Sequence, residues 1–127
     1  MNNFRIILLL ISGTCLCSCN SGMNQSTLRI GKGNDVTVTL NILNPKGIQK
    51  IEFLSNGNIQ KVSANELLKY NAIEYGFYGQ GEGSFKVFVY TNLDTLKSEN
   101  YVEEGYHVQL ECDSSHIKTT DFTGIGY

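Results

Sequence analysis

The chain has no tryptophan, one proline and two histidines in 127 residues. It also lacks any run of about 20 apolar residues, the length a membrane-spanning helix needs. Without tryptophan, and with one cysteine beyond residue 19, the Cys…Trp…Cys hallmark of true immunoglobulin domains is excluded. His107 and His116 are the only histidines, and no nearby serine sits in a G-x-S-x-G elbow. The glycines between residues 75 and 83 do not follow G-x-G-x-x-G, no Gly-Lys-Ser/Thr occurs, and a strand pattern follows where a nucleotide loop needs a helix. Cations are sparse too, with ten Lys and Arg against twelve Asp and Glu. Nucleic acid, which requires clustered cations, is not a partner this composition fits.

What is present begins at the front. Met1-Asn2-Asn3-Phe4-Arg5 is a short polar start with one cation, Ile6-Ile7-Leu8-Leu9-Leu10-Ile11 is an apolar run, and Ser12-Gly13-Thr14-Cys15 opens a stretch of small residues and cysteines. That is the build of a secretory signal peptide. A buried core helix would show polar residues on one face, and the run from 6 to 11 has none. The polar stretch 20–26 follows the cysteines directly, so nothing lengthens the apolar run.

The end of this segment, Leu16-Cys17-Ser18-Cys19, resembles the lipobox of bacterial lipoproteins. The resemblance covers only this end of the chain. It implies that Leu16 fills the apolar −3 site, Cys17 the −2 site and Ser18 the small −1 site. Cys19 would then become the first mature residue, its thiol alkylated by a diacylglycerol and its new amine acylated. Cys17 departs from the usual Ala, Ser or Thr but is close to Ser in size. Cys15 and Cys17 fit worse as the modified residue, because bulky Leu16 would take the −1 site before Cys17 and Ser12 would stand at −3 to Cys15. Two or three acyl chains anchor a protein effectively permanently, whereas one anchors it only marginally. The expected organisation is a signal peptide over 1–18, a lipidated Cys19 with a polar tether over 19–27, and one small domain over 28–127. The expected location is the bacterial cell envelope, on the periplasmic face of either membrane or at the cell surface.

Loss of the leader removes Arg5 and leaves nine cations against twelve acids, a net charge of about −3. This argues against a second, electrostatic attachment to anionic lipid. Seven acids fall between residues 94 and 121, with only Lys97 and Lys118 to offset them. They fit a solvated face or a docking surface for a cationic partner. Only Cys19 and Cys112 survive cleavage, and Cys19 would be capped, so the domain has no disulfide framework. His107 and Cys112 have opposite parity on a strand and face opposite ways. Cys112 is therefore expected to be a buried structural thiol rather than a catalytic one.

Period-two patterns dominate the rest. Val36, Val38, Leu40 and Ile42 alternate with Thr37, Thr39 and Asn41 over 35–43, and Asn44-Pro45-Lys46-Gly47 turns the chain. Segments 49–54 and 58–62 flank Asn56-Gly57, the strongest short hairpin signal, and pair Leu54 with Ile59, Glu52 with Lys61 and Ile51 with Val62. Ser63-Ala64-Asn65-Glu66 is a capping box that opens a short helix over 64–70, which needs Leu67 or Leu68 packed to persist. Residues 75–83 read as a loop or a bulged edge. Strands follow at 85–91, 96–102, 106–113 and 116–122; in the third, Tyr106, Val108, Leu110 and Cys112 alternate with His107, Gln109, Glu111 and Asp113. Apolar bulk on both faces of 85–91 marks it as central. Seven to nine strands with a turn about every ten residues fit an all-β fold: a small antiparallel β-sandwich, immunoglobulin-like or transthyretin-like in build, with one short crossover helix.

Three side-chain groupings bear on function. His107, Glu111, Asp113 and His116 are the nearest approach to a metal site, but His107 and Asp113 lie about 20 Å apart along a strand, so no metal or other cofactor is assigned. Glu103-Glu104 falls in a turn, where adjacent carboxyls need not converge as a glycosidase requires. Tyr70, Tyr75, Phe77, Tyr78, Tyr90, Tyr101 and Tyr106 are more aromatics than a small core needs. Tyr75, Phe77 and Tyr78, if exposed together, form a patch for protein or glycan; otherwise they pack at the sheet edges. The expected function is non-enzymatic: a membrane-anchored binding or assembly module whose partner is another envelope protein. In location and build it is similar to secretion-apparatus lipoproteins and to immunity lipoproteins that block periplasmic toxins. A glycan-binding module is the alternative, and a hydrolase comes third.

Overall fold

The computed structural model describes residues 26–79 and 83–124. The expected signal peptide, Leu16, Cys17, Ser18, Cys19 and nearly all of the expected tether lie outside the described residues. Alternation of apolar and polar residues produces nine strands among the described residues: β1 (Thr27–Ile30), β2 (Val36–Ile42), β3 (Ile48–Ser55), β4 (Asn58–Ser63), β5 (Ala72–Phe77), β6 (Gly83–Thr91), β7 (Thr95–Val102), β8 (His107–Cys112) and β9 (Ile117–Thr123). The helix α1 (Ala64–Leu67) lies between β4 and β5. The strands form a five-stranded sheet, ordered β1-β5-β2-β8-β9, and a four-stranded sheet, ordered β4-β3-β6-β7. The fold is an all-β sandwich.

The four-stranded sheet is antiparallel throughout, while the five-stranded sheet holds two parallel pairs, β1·β5 and β2·β8. The second follows from the path of the chain. Each hairpin in the four-stranded sheet returns the chain to the end it left, so β8 arrives beside β2 running the same way. Loops 31–35, 56–57 and 103–106 gather at one end of the sandwich. Residues 43–47, α1 and the turns at 92–94 and 113–116 gather at the other.

The core lies between the sheets. Register places Val38 between Tyr75 and Val108, and Leu40 between Ile73 and Leu110, all on one inward face. Opposite them, Ile51, Phe53, Val87, Val89 and Phe85 are fully buried. The hairpin pairs Leu54 with Ile59, Glu52 with Lys61 and Ile51 with Val62, the expected register. Asn56 and Gly57 have φ of 45° and 80°, as a type I′ turn requires of both central residues. Strand β6 is central, between β3 and β7, also as expected.

Helix α1 is shorter than the pattern implies. Ser63 is the N-cap and accepts from the Glu66 amide, as the capping box predicts. Only Leu67 packs into the core, however; Leu68 is 76 % exposed, so no second apolar residue extends the helix toward Tyr70. Thr27, expected in the tether, begins β1 and pairs with Ala72.

The larger departure concerns residues 75–83. Residues 72–77 form β5, an interior strand between β1 and β2, rather than a loop or edge. The glycine that suggested a loop is needed for close approach. A Cβ on Gly76 would lie 2.3 Å from the Gly33 carbonyl oxygen and 3.0 Å from Arg29 Nη2, because the 31–35 loop folds over the outer face of β5 there.

Candidate functional site

Tyr75 and Phe77 point into the sandwich and are 2 % and 7 % exposed, whereas Tyr78, just past the end of β5, is 61 % exposed. The three-residue aromatic patch therefore does not form. Period two turns Tyr75 and Phe77 inward with Ile73, and the chain leaves the sheet before Tyr78. The Tyr75 ring stacks between Phe53 and Phe77, at centroid separations of 5.2 and 5.3 Å. Its hydroxyl hydrogen-bonds Ser55 Oγ, the buried polar side chain of the opposite sheet.

Tyr78 instead belongs to a different arrangement. Asn56 Nδ2 donates to the Tyr78 carbonyl at 3.1 Å, which ties the β3–β4 turn to the segment leaving β5. Beside this tie lies a cleft of about 340 Å³, lined by Lys32, Asn56, Asn58, Gln60 and Tyr78 and floored by Tyr75. The cleft exists because β4 peels away from the five-stranded sheet. By parity Asn58 and Gln60 share the inward face of Val62, yet both are exposed and only Val62 is buried. Amides at these positions favour water over core, so the sandwich stays open along β4.

Strand β4 is an edge, paired only with β3 among the described residues. In a two-residue hairpin the residues flanking the turn, Ser55 and Asn58, exchange hydrogen bonds; Gln60 and Val62 then also bond to β3, while Ile59 and Lys61 direct their N–H and C=O groups outward. An edge of this kind is a template for another extended chain. Its outward side chains are Ile59, 54 % exposed, and Lys61.

Lys61 belongs to a basic, aromatic outer face on the four-stranded sheet, which the linear sequence did not reveal. Register brings Lys50, Lys61, Lys86 and Lys97 onto it with Glu52, Glu99, Phe88 and Tyr90. Lys50 bonds Glu52 at 3.1 Å and lies 4.4 Å from the Tyr90 ring centroid. Against partial desolvation, that bond, one from the Tyr90 hydroxyl and the nearby Lys61 hold the Glu52 carboxyl below its ordinary range. The signal was available as period two across three strands, but it required the register.

The acids between 94 and 121 do not converge into one docking surface. Asp94 caps its own turn by accepting from the Thr95 amide, Glu99 pairs with Lys97 and Lys86, and Glu111 pairs with Lys118. Asp113 accepts from the Ser115 amide and hydroxyl and from the His116 amide, which hold its carboxyl down at about 2. His116 Nδ1 lies 3.0 Å from the same carboxylate. Among the described residues no three His, Cys, Asp or Glu side chains gather to hold a metal ion. His107 is exposed on the outer face of β8 and Cys112 is fully buried on the inner, as their parity requires. Burial, with the Asp113 charge second, pushes the Cys112 thiol up to about 12, so it is neither thiolate nor nucleophile at neutral pH.

No family model matches this chain, and neither a curated protein nor a solved structure matches it significantly.

Proposed function

We propose that the protein is a lipid-anchored module of the bacterial cell envelope that binds another envelope protein by accepting an extended segment of it along β4. The observation that carries the binding part is the open edge itself, with outward backbone groups at Ile59 and Lys61 beside a cleft and an exposed tyrosine. Strand addition takes affinity from main-chain hydrogen bonds and specificity from side-chain positions two residues apart. Here those positions meet Ile59, which favours an apolar residue, and Lys61, which favours an acid. Asn58 and Gln60 would pair with the partner's inward amides or hydroxyls, and Tyr78 would cover the end of the added strand. The anchoring part rests on Leu16-Cys17-Ser18-Cys19. No nucleophile, base or metal enters this account, and the module acts by binding alone.

The test uses Lys61→Pro and Tyr78→Ala. Proline at an outward-facing edge position removes a donor that β3 does not use and so leaves the hairpin paired. Capture from solubilised envelopes should recover one protein in stoichiometric amount with the natural chain, and lose it with either variant at unchanged thermal stability. Retention of the partner by Lys61→Pro would refute strand addition.

A glycan reading draws on the grouping of Asn56, Asn58 and Gln60 with Tyr78 around the cleft. It is distinguished by the same two variants. Retention on a polysaccharide column that survives Lys61→Pro and is lost with Tyr78→Ala would select it.

A further inference from the structure

The exposed large apolar residues divide between the two ends of the sandwich. Tyr78 and Ile59 lie toward the end carrying the β3–β4 turn, and Phe122 is opposite Val108 near the start of β8. The leucines lie at the other end: Leu43 after β2, Leu68 after α1 and Leu93 in the β6–β7 turn, 56 %, 76 % and 97 % exposed. Leu43 and Leu68 line one open cleft with Ser26 and Lys69. The turn bearing Leu93 is fastened to the same end, because the Asn92 amide donates to the Gly47 carbonyl at 3.2 Å and Gln49 Nε2 donates to Asn92 Oδ1 at 3.0 Å.

This is also the end at which the chain enters the domain. Ser26 Oγ donates to the Lys69 carbonyl at 2.7 Å, and its own carbonyl accepts from the Asn71 amide at 3.2 Å. Cys19 precedes Ser26 by seven residues, a length of chain that reaches at most about 25 Å. An anchor at Cys19 therefore holds the leucine-bearing end nearer the headgroups than the opposite one.

We propose that Leu43, Leu68 and Leu93 form a bilayer-docking surface that seats the domain upright on the membrane to which Cys19 is tied; this rests on the anchoring reading above. Apolar side chains on a surface that faces lipid enter the headgroup boundary, and tethering concentrates even a weak contact. The charged groups at this end are mixed and mostly paired. Lys46 and Lys69 are cations, the carboxylates of Asp94 and Asp113 are held by amides within their own turns, Glu111 at the edge of the cleft pairs with Lys118, and Glu66 lies in the first turn of α1. With leucines down, the eight-residue β3 rises about 25 Å and presents the Asn56-Gly57 turn, Tyr78 and the β4 cleft away from the bilayer.

The full lipidated chain is reconstituted in phosphatidylethanolamine–phosphatidylglycerol vesicles with one nitroxide at a time at Leu43→Cys, Leu68→Cys, Leu93→Cys, Ile59→Cys or Tyr78→Cys. Collision rates with oxygen, which partitions into lipid, and with an aqueous nickel chelate are then compared; buried Cys112 stays unlabelled. The oxygen-to-nickel ratio should be severalfold higher at 43, 68 and 93 than at 59 and 78, and should remain so in neutral phosphatidylcholine vesicles. Equal ratios at all five sites in a protein that floats with the vesicles would overturn the docking surface and leave the anchor standing. Contact that vanishes in neutral vesicles would overturn the leucine contact in favour of the lysines. Protein that neither floats nor carries fatty acyl groups on Cys19 would remove the anchor and the docking surface together.

Discussion

Replacing Tyr75 by Phe removes one oxygen from the centre of the sandwich and leaves the ring stack with Phe53 and Phe77 in place. The loss falls on Ser55, whose hydroxyl is buried and bonds the Tyr75 hydroxyl. An orphaned buried hydroxyl costs about 1–3 kcal/mol, because its desolvation is no longer offset. For a domain of this size that lowers Tm by roughly 4–15 °C. Ser55→Ala should destabilise by a similar amount, since it orphans the tyrosine oxygen instead. The double variant should be little worse than either single one, because replacing both partners by apolar groups is nearly neutral. A coupling energy of about 1 kcal/mol or more, read from urea unfolding followed by far-UV circular dichroism, is the expected signature. Tyr78→Ala, at the surface, should stay within about 0.5 kcal/mol of the natural chain. A neutral Tyr75→Phe with additive double-variant behaviour would refute the reasoning. It would mean that the Tyr75 hydroxyl meets solvent, and it would return Tyr75 to the surface beside Tyr78.

Two further outcomes follow from the titrating groups. Cys112 should resist thiol reagents in the native state at pH 8 and react at once in denaturant, since burial keeps it protonated; rapid native labelling would show an open β8 face. Asp113 is held at about 2 in the fold against 3.8 ordinarily, so its contribution is fully present above about pH 5 and is lost as pH falls through 4 toward 2. In Asp113→Asn that part of the acid-induced loss should be missing; acid unfolding profiles that superimpose would contradict it.

Local patterns were the most legible. The Asn56-Gly57 hairpin could be paired residue by residue, because a two-residue turn leaves no freedom of register and each cross-strand pair was chemically matched. The faces of β6 and β8 could be read from period two alone. Strands β1 and β5 could not, because what makes them strands is distant. Four residues at Thr27–Ile30 pair in parallel with Ala72–Tyr75, and Gly76 looks like a breaker until the 31–35 loop lies across it. The aromatic patch failed for the same reason, since an interior strand turns Tyr75 and Phe77 inward. The binding cleft was legible only in fragments. Tyr78 was singled out, but Asn58 and Gln60 disclose an open edge only once their inward parity is set against their exposure. The acids of 94–121 are adjacent in the chain, but three strands in two sheets disperse them.

Membrane anchoring is tested most directly by the identity of the mature N-terminus. Intact-mass and peptide mass spectrometry of the protein extracted from bacterial membranes should find an N-terminal peptide beginning at Cys19, heavier by a thioether-linked diacylglycerol and, where the amine is acylated, a further acyl chain. An unmodified peptide beginning at Met1, recovered from the soluble fraction, would contradict it.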